Sequence, residues 1–107
     1  MNDEIRALSI ALDKLRERLM NTPRSSPGFG EMRILYRELT LALIDAADKA
    51  DSELAKEINE ASRKVSEEWE SNKDKFAEWH SVLKPVVNAV GLILGGASLS
   101  NPLLLLL

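Results

Sequence analysis

The stretch of sequence from Glu31 to Lys84 contains neither proline nor glycine, and this feature most constrains what the chain can fold into. Proline removes a backbone donor and glycine adds backbone freedom, so their absence over 54 residues favours helix. Apolar side chains recur at helical spacing along this stretch, at Met32, Leu35, Leu39, Leu43, Ala47, Ala50, Leu54, Ile58, Ala61, Val65, Trp69, Phe76, Trp79 and Leu83. This spacing predicts helices that pack along their length against other helices.

The same stretch can form one helix or two. A single helix would be about 80 Å long at about 1.5 Å per residue. A break is indicated near Asp51, because Asp51 or Ser52 can cap a new helix and only alanines occupy the apolar face between Ala46 and Ala50. We expect two helices with a tight turn near residue 51, and one long rod is the alternative.

A first helix is predicted over residues 2–20, before a connector over residues 21–30. The helix has apolar residues three and four apart, at Ile5, Leu8, Leu12, Leu15 and Leu19. The connector contains two prolines and two glycines, and Phe29 is the side chain in it that we expect to contact the helices. The fold class predicted is all-α, an antiparallel helical bundle or coiled-coil hairpin with a long second helical segment. Residues 1–84 form its amphipathic domain and 85–107 an apolar tail.

The tail is unusual because none of its 23 residues carries an ionisable side chain. We expect Pro85 to end or kink the preceding helix. A bilayer core of about 30 Å takes roughly 20 helical residues, so the tail is long enough to span a membrane by count. Gly95-Gly96 and Asn101-Pro102 interrupt it, which makes shallow or re-entrant insertion an equal alternative. Folding over the helical core, or burial in the core of an oligomer, is the alternative without a membrane.

Small and polar residues of the tail fall three and four apart, at Asn88, Gly91, Gly95 and Ser98. On a helix they form one stripe, and Gly91 with Gly95 matches the small-xxx-small pattern of closely packed membrane helices. This stripe is therefore the predicted face for self-association. Trp79 and Lys84 stand just before the apolar run, where interfacial anchors of a membrane protein are expected. For Trp79 the alternative is a place in the helical core.

Charge and composition exclude several classes of function. Acidic side chains outnumber basic ones over residues 45–78, so we expect no nucleic-acid partner. The chain has no cysteine and one histidine, so we expect no metal site, no cofactor, no small-molecule substrate and no catalytic activity. The N-terminus lacks the basic-then-apolar pattern of a secretory signal peptide, so we expect synthesis in the cytoplasm.

Together these features predict a non-enzymatic, self-associating helical protein that inserts or anchors in a membrane through its C-terminal tail. This layout is similar to that of small pore-forming or lytic effectors, including toxins, phage lysis proteins and cell-death domains, although no motif is shared. The alternative is a soluble homo-oligomeric structural or adaptor protein that buries its tail at subunit interfaces. A third hypothesis is a module whose acidic face, residues 45–78, binds a basic partner.

Overall fold

All the regular secondary structure in the described part of the chain is helical. The computed structural model describes residues 2–67, 69–95 and 101–105, with the side chains at 70–72 and 105 excepted. The four α-helices are α1 (Asn2–Met20), α2 (Phe29–Asp45), α3 (Asp51–Ser66) and α4 (His80–Leu94). A 3-10 segment (Glu70–Trp79) precedes α4, and a short C-terminal 3-10 turn (Pro102–Leu105) follows it. The helices pack against one another, so the prediction of an all-α fold is confirmed.

The chain turns between α2 and α3 rather than continuing as one rod. The N–H of Ala46 donates to the carbonyl of Ala42 at 3.0 Å, and that of Lys49 donates to the carbonyl of Ala46 at 3.0 Å. Ala50 is extended, and its carbonyl accepts the N–H of Leu54 at 3.1 Å, which starts α3. Ala46 is buried, so the small side chain at this position allows the turn to lie close against the helices. The single-rod alternative is therefore wrong.

The core is built from one apolar face of each helix. Its largest contributors are Leu8, Leu15, Met32, Leu35, Leu39, Ile58, Trp79, Leu83, Val86 and Val90. The radius of gyration is 12.9 Å, and a compact domain of this length is expected to have about 13 Å. The described residues therefore enclose a core within a single chain.

The predicted boundary between domain and tail falls inside α4. The helix continues through Pro85, where the sequence predicted an end or a kink. A proline there removes the hydrogen bond to the carbonyl of Ser81, and Ser81 is an exposed residue. The first part of the tail is thus continuous with the helix that begins at His80.

The helix contacts are uneven around the fold. The most extensive contacts join α1 to α4 and α2 to α3, and the contact between α1 and α2 is less extensive. The contact between α3 and α4 is less extensive still, and cavities line the α1–α2 boundary.

A candidate binding furrow between α1 and α2

The predicted self-association stripe lies on the outer side of α4. Asn88 and Gly95 are exposed and Gly91 is partly exposed, whereas Ser98 lies outside the described residues. The opposite side of α4 is buried in the core, including Val86, Val87, Ala89, Val90, Ile93 and Leu94. The spacing therefore separates a small and polar outer face from an apolar inner face, and the inner face is covered by this chain itself.

Of the two predicted interfacial anchors, Lys84 is exposed and Trp79 is buried. The Trp79 side chain is only 1% exposed, and its indole N–H donates to the carbonyl of Pro27 at 2.8 Å. The Phe29 ring packs on the Trp79 ring edge-to-face, with centroids 6.4 Å apart. Trp79 therefore occupies the core position that the apolar spacing offered as its alternative, and its ring is not presented to a membrane surface in this fold.

The connector is fixed to the start of α4 through Gly28. Gly28 has φ of +82°, and a Cβ there would lie 2.9 Å from the carbonyl oxygen of Lys75 and 3.0 Å from Nε1 of Trp79. Only glycine fits this conformation and this close approach. Arg18 of α1 completes the junction, because it lies 5.7 Å from the Trp79 ring centroid and donates to the carbonyl of Glu78 at 3.0 Å.

A buried polar cluster fastens the C-terminal turn to α3. The Asn101 side-chain amide donates to Oδ1 of Asn59 at 2.9 Å and to Oγ of Ser62 at 2.7 Å, and its Oδ1 accepts the N–H of Leu103 at 2.9 Å. We call Asn59, Ser62 and Asn101 the Asn101 latch. Leu103 is fully buried next to it, and Leu104 lies over Gly91. Sequence reasoning missed this latch, although polar residues on the apolar side of α3 were its visible signal.

Three adjoining cavities line the boundary between α1 and α2, and together we call them the α1–α2 furrow. The cavity at the end of α1 has a volume of about 510 Å³, the middle one about 190 Å³ and the far one about 420 Å³. Tyr36 lines both the first and the middle cavity. Ser9, Leu43 and Ile44 line both the middle and the far cavity. The cavities therefore lie end to end along both helices.

Four arginines surround the largest cavity, which we call the arginine end. Its lining consists of Arg16, Arg24, Arg33 and Arg37 with Leu19, Met20, Thr22, Phe29 and Tyr36. No acidic side chain lines this cavity, and within the described residues none of the four arginines forms an ion pair. Neighbouring cations without counter-charges produce a positive potential that attracts anions. The arginine end is therefore an anion-attracting cavity with an apolar floor.

The rest of the furrow has fewer charged residues in its lining. In the middle cavity, the Oγ1 atom of Thr40 is buried without a hydrogen-bond partner, and Asp13 is the one acidic residue in the lining. No charged side chain lines the far cavity, which is formed by Asn2, Ile5, Ser9, Leu43, Ile44, Ala46, Ala47 and Leu54. The charge of the lining thus changes along the furrow from cationic, through one carboxylate, to uncharged.

An exposed apolar stripe runs along α2 beside the arginine end. Ile34, Leu41 and Ile44 are 49%, 45% and 65% exposed. Ile34 shares a further cavity with Arg33 and Arg37, which joins this α2 stripe to the arginine end. The helical spacing predicted only one apolar face for α2. The sequence also contains a second set of apolar residues on this helix, Ile34, Leu41 and Ile44, interleaved with arginines, and that set was the signal for the α2 stripe.

Similarity to known proteins does not indicate a function for this chain. No protein-family model matches the chain, and no curated protein or solved structure is significantly similar to it. Across residues 2–67, 69–95 and 101–105, none of the helices has the length and apolar character needed to cross a bilayer. The same residues contain no group of three histidine or acidic side chains placed to hold a metal ion.

Proposed function

We propose that this chain is a non-enzymatic helical protein that associates with anionic lipid surfaces through the arginine end and the α2 stripe. The observation that carries the proposal is the position of Arg33 and Arg37 between the apolar floor of the cavity and the exposed side chain of Ile34. Cationic and apolar groups on one surface are the combination that binds a membrane interface. The proposal takes the helices as an antiparallel bundle, which the short connections at 21–28 and 46–50 support.

The expected binding energies indicate that membrane association needs both the arginines and the apolar side chains. A basic residue near an anionic lipid surface contributes about 1 kcal/mol, so four arginines supply about 4 kcal/mol. That corresponds to roughly millimolar affinity, which is too weak for stable association. Partial insertion of Ile34, Leu41 and the 72% exposed Met20 adds apolar burial. Two signals on one face are what lasting attachment to a membrane requires.

This proposal moves the membrane contact from the tail to α2. Insertion of the tail, and with it a pore-forming or lytic activity, would first require the buried face of α4 to leave the core. It would also require the Asn101 latch to open. Contact through α2 needs neither change, because its apolar and basic side chains are already exposed.

Sedimentation with vesicles tests the proposal. We expect binding to vesicles of phosphatidylcholine mixed with phosphatidylserine, little binding to phosphatidylcholine alone, and release at 1 M salt, where the screening length falls to about 3 Å. The double variant Arg33→Gln/Arg37→Gln should lose most of the binding. The matched control Arg63→Gln/Lys64→Gln removes the same charge from the exposed end of α3 and should retain it. Equal losses in the two variants would contradict the assigned face, and so would an absence of binding to anionic vesicles.

A second set of variants tests the apolar half of the face. Ile34→Ser/Leu41→Ser should weaken vesicle binding without changing its dependence on salt. Leu92→Ser, which alters a side chain that is 65% exposed on α4, should not weaken it. If the α4 variant reduces binding and the α2 variant does not, the tail rather than α2 meets the lipid.

Self-association is a second candidate function, favoured by the outer face of α4. Leu92 and Gly95 are exposed on this face, whereas Gly91 is next to Leu104 of the same chain, so the access to the helix backbone is at Gly95. Such a surface suits packing of α4 against α4 of a second copy. Light scattering coupled to size exclusion would report the mass. A homo-oligomer that Leu92→Ser converts to monomer supports this candidate, and a wild-type monomer at all concentrations rejects it.

A further inference from the structure

We propose that the α1–α2 furrow binds one molecule of a single-chain anionic phospholipid. Its phosphate lies at the arginine end, its glycerol hydroxyl at Thr40 and its acyl chain in the far cavity. The inference deepens the lipid association proposed above and rests on it, because it names a lipid that is held singly rather than as part of a surface. The proposal rests on the order of charge along the furrow, from four arginines to no charged side chain.

The arginine end suits a phosphate group in both charge and geometry. A guanidinium presents planar N–H donors that pair with phosphate oxygens, often two at a time. Four such groups from α1, the connector and α2 line one cavity, so an anion there is approached from three parts of the chain. All four side chains are exposed, so water screens their mutual repulsion, and a bound anion would reduce it further. A dianionic phosphate therefore fits this cavity better than a neutral or zwitterionic group.

The middle cavity suits the glycerol of such a lipid. The Thr40 hydroxyl is unpaired, and a buried hydroxyl without a partner is unfavourable. Its oxygen has less than 1 Å² of accessible surface, so the side chain has to rotate before a ligand in the cavity can pair with it. Thr40 follows Arg37 by three residues on α2, or about 4.5 Å along the helix axis. A glycerol hydroxyl next to a phosphate bound by Arg37 lies within reach of Thr40. Asp13 in the same cavity disfavours a second phosphate, which fixes the direction of the lipid.

The far cavity suits one acyl chain in length and in chemistry. Asn2 and Ser9 of α1 both line the far cavity, so it follows about 10 Å of the helix at 1.5 Å per residue. A bilayer core of about 30 Å is two acyl layers thick, so one layer is about 15 Å thick and the far cavity takes about two thirds of that depth. The furrow offers one uncharged branch, so a lipid with a single short chain fits it and a lipid with two chains does not.

Titration calorimetry with monomeric lysophosphatidic acid, kept below its micelle concentration, tests the inference. We expect binding with a stoichiometry of one. Lysophosphatidylcholine with the same chain should bind at least about tenfold more weakly, because it loses charge-assisted hydrogen bonds to the arginines. Inorganic phosphate alone should show no comparable affinity, because it leaves the far cavity empty. Equal affinity for the two lipids, or for phosphate and lipid, would overturn the assignment.

Variants that fill the far cavity separate this inference from the proposed function. Leu43→Trp should abolish binding of monomeric lysophosphatidic acid, and Leu92→Trp, which adds the same ring outside on α4, should leave it unchanged. Ala47→Trp fills the same cavity from an exposed position, so it provides the same test if the Leu43 variant does not fold. Both filling variants should still sediment with anionic vesicles. If the wild type binds anionic vesicles but not the lysolipid, the furrow is not a lipid site and the proposed function stands. If it binds the lysolipid but not the vesicles, the furrow site stands and the membrane face is rejected.

Thr40→Val tests the middle of the furrow. Removal of an unpaired buried hydroxyl should raise the melting temperature, and the same change should weaken lysophosphatidic acid binding several-fold because it removes a hydrogen-bond partner. A purely structural Thr40 would affect stability and leave the affinity unchanged, and that outcome would overturn the placement of the glycerol.

Discussion

Apolar side chains are mostly buried on one long side of this protein and partly exposed on the other. On one side, α4 after Lys84 and the C-terminal turn are uncharged, and their apolar side chains lie mostly in the core, with Leu92 as the exposed exception. On the other side, α2 carries arginines, and Ile34, Leu41 and Ile44 remain exposed. The most apolar segment is therefore well covered, and an amphipathic one is not. The apolar content of a segment does not by itself determine how exposed the segment is, because exposure also depends on how closely neighbouring elements pack against it.

The reason for the difference lies in the side chains at each boundary. On α4, Ala89 and the branched Val86 and Val90 have no charged atoms to keep in water, so the inner face of the helix buries completely. Between α1 and α2, Arg16, Arg33 and Arg37 line the open space. Burial of unpaired guanidinium groups is strongly unfavourable, so these residues keep that end of the boundary hydrated and open.

The largest expected effect comes from breaking the covered side at Trp79. Trp79→Ala removes a large core side chain and the hydrogen bond to Pro27, and we expect a loss of about 3–5 kcal/mol in the free energy of unfolding. Met20→Ala, on the exposed side, should change it by less than about 0.5 kcal/mol. Urea unfolding of both variants measures the contrast. Similar losses would show that the two sides are equally packed.

A smaller effect is expected at the Asn101 latch. Asn101→Ala leaves the buried groups of Asn59 and Ser62 without this partner, and we expect a loss of about 1–3 kcal/mol. Asn88→Ala alters an exposed amide on α4 and should be close to neutral. Amide hydrogen exchange at Leu103 and Leu104 should speed up in the first variant only. Unchanged exchange there would mean that the apolar contacts of Leu103 alone hold the turn.

The sequence predicted the parts of the fold that depend on local spacing. The all-α class, the core positions of α1 and α2 and the turn before Asp51 follow from periodicity, which acts over a few residues. The prediction that Asp51 or Ser52 caps the new helix is wrong, because the N-cap of α3 is Ala50 and no side chain there makes a capping hydrogen bond. The latch joins Asn101 to Ser62 across the chain, and no local pattern specifies that pairing. The furrow depends on how far apart two helices settle, which periodicity does not determine. Pro85 does not end the helix, which was one of the two outcomes that the sequence predicted, because α4 continues to Leu94 without that one donor.

The turn at the far end of the furrow gives the smallest expected effect. Lys49 donates to Glu57 at 2.6 Å, and this hydrogen bond, with the charge of Glu57, raises the pKa of Lys49 above its usual value of 10.5. A raised lysine pKa adds stability that is fully present below pH 10.5 and disappears as the pH rises through the folded-state value.

Lys49→Met should therefore lower the melting temperature slightly at neutral pH. The deficit should vanish well above pH 10.5 and in 1 M salt, because the pair is exposed and screened. Thermal unfolding of the wild type and the variant across pH measures this difference. A deficit that persists at high pH would mean that the lysine stem, rather than its charge, holds the turn beside the far cavity.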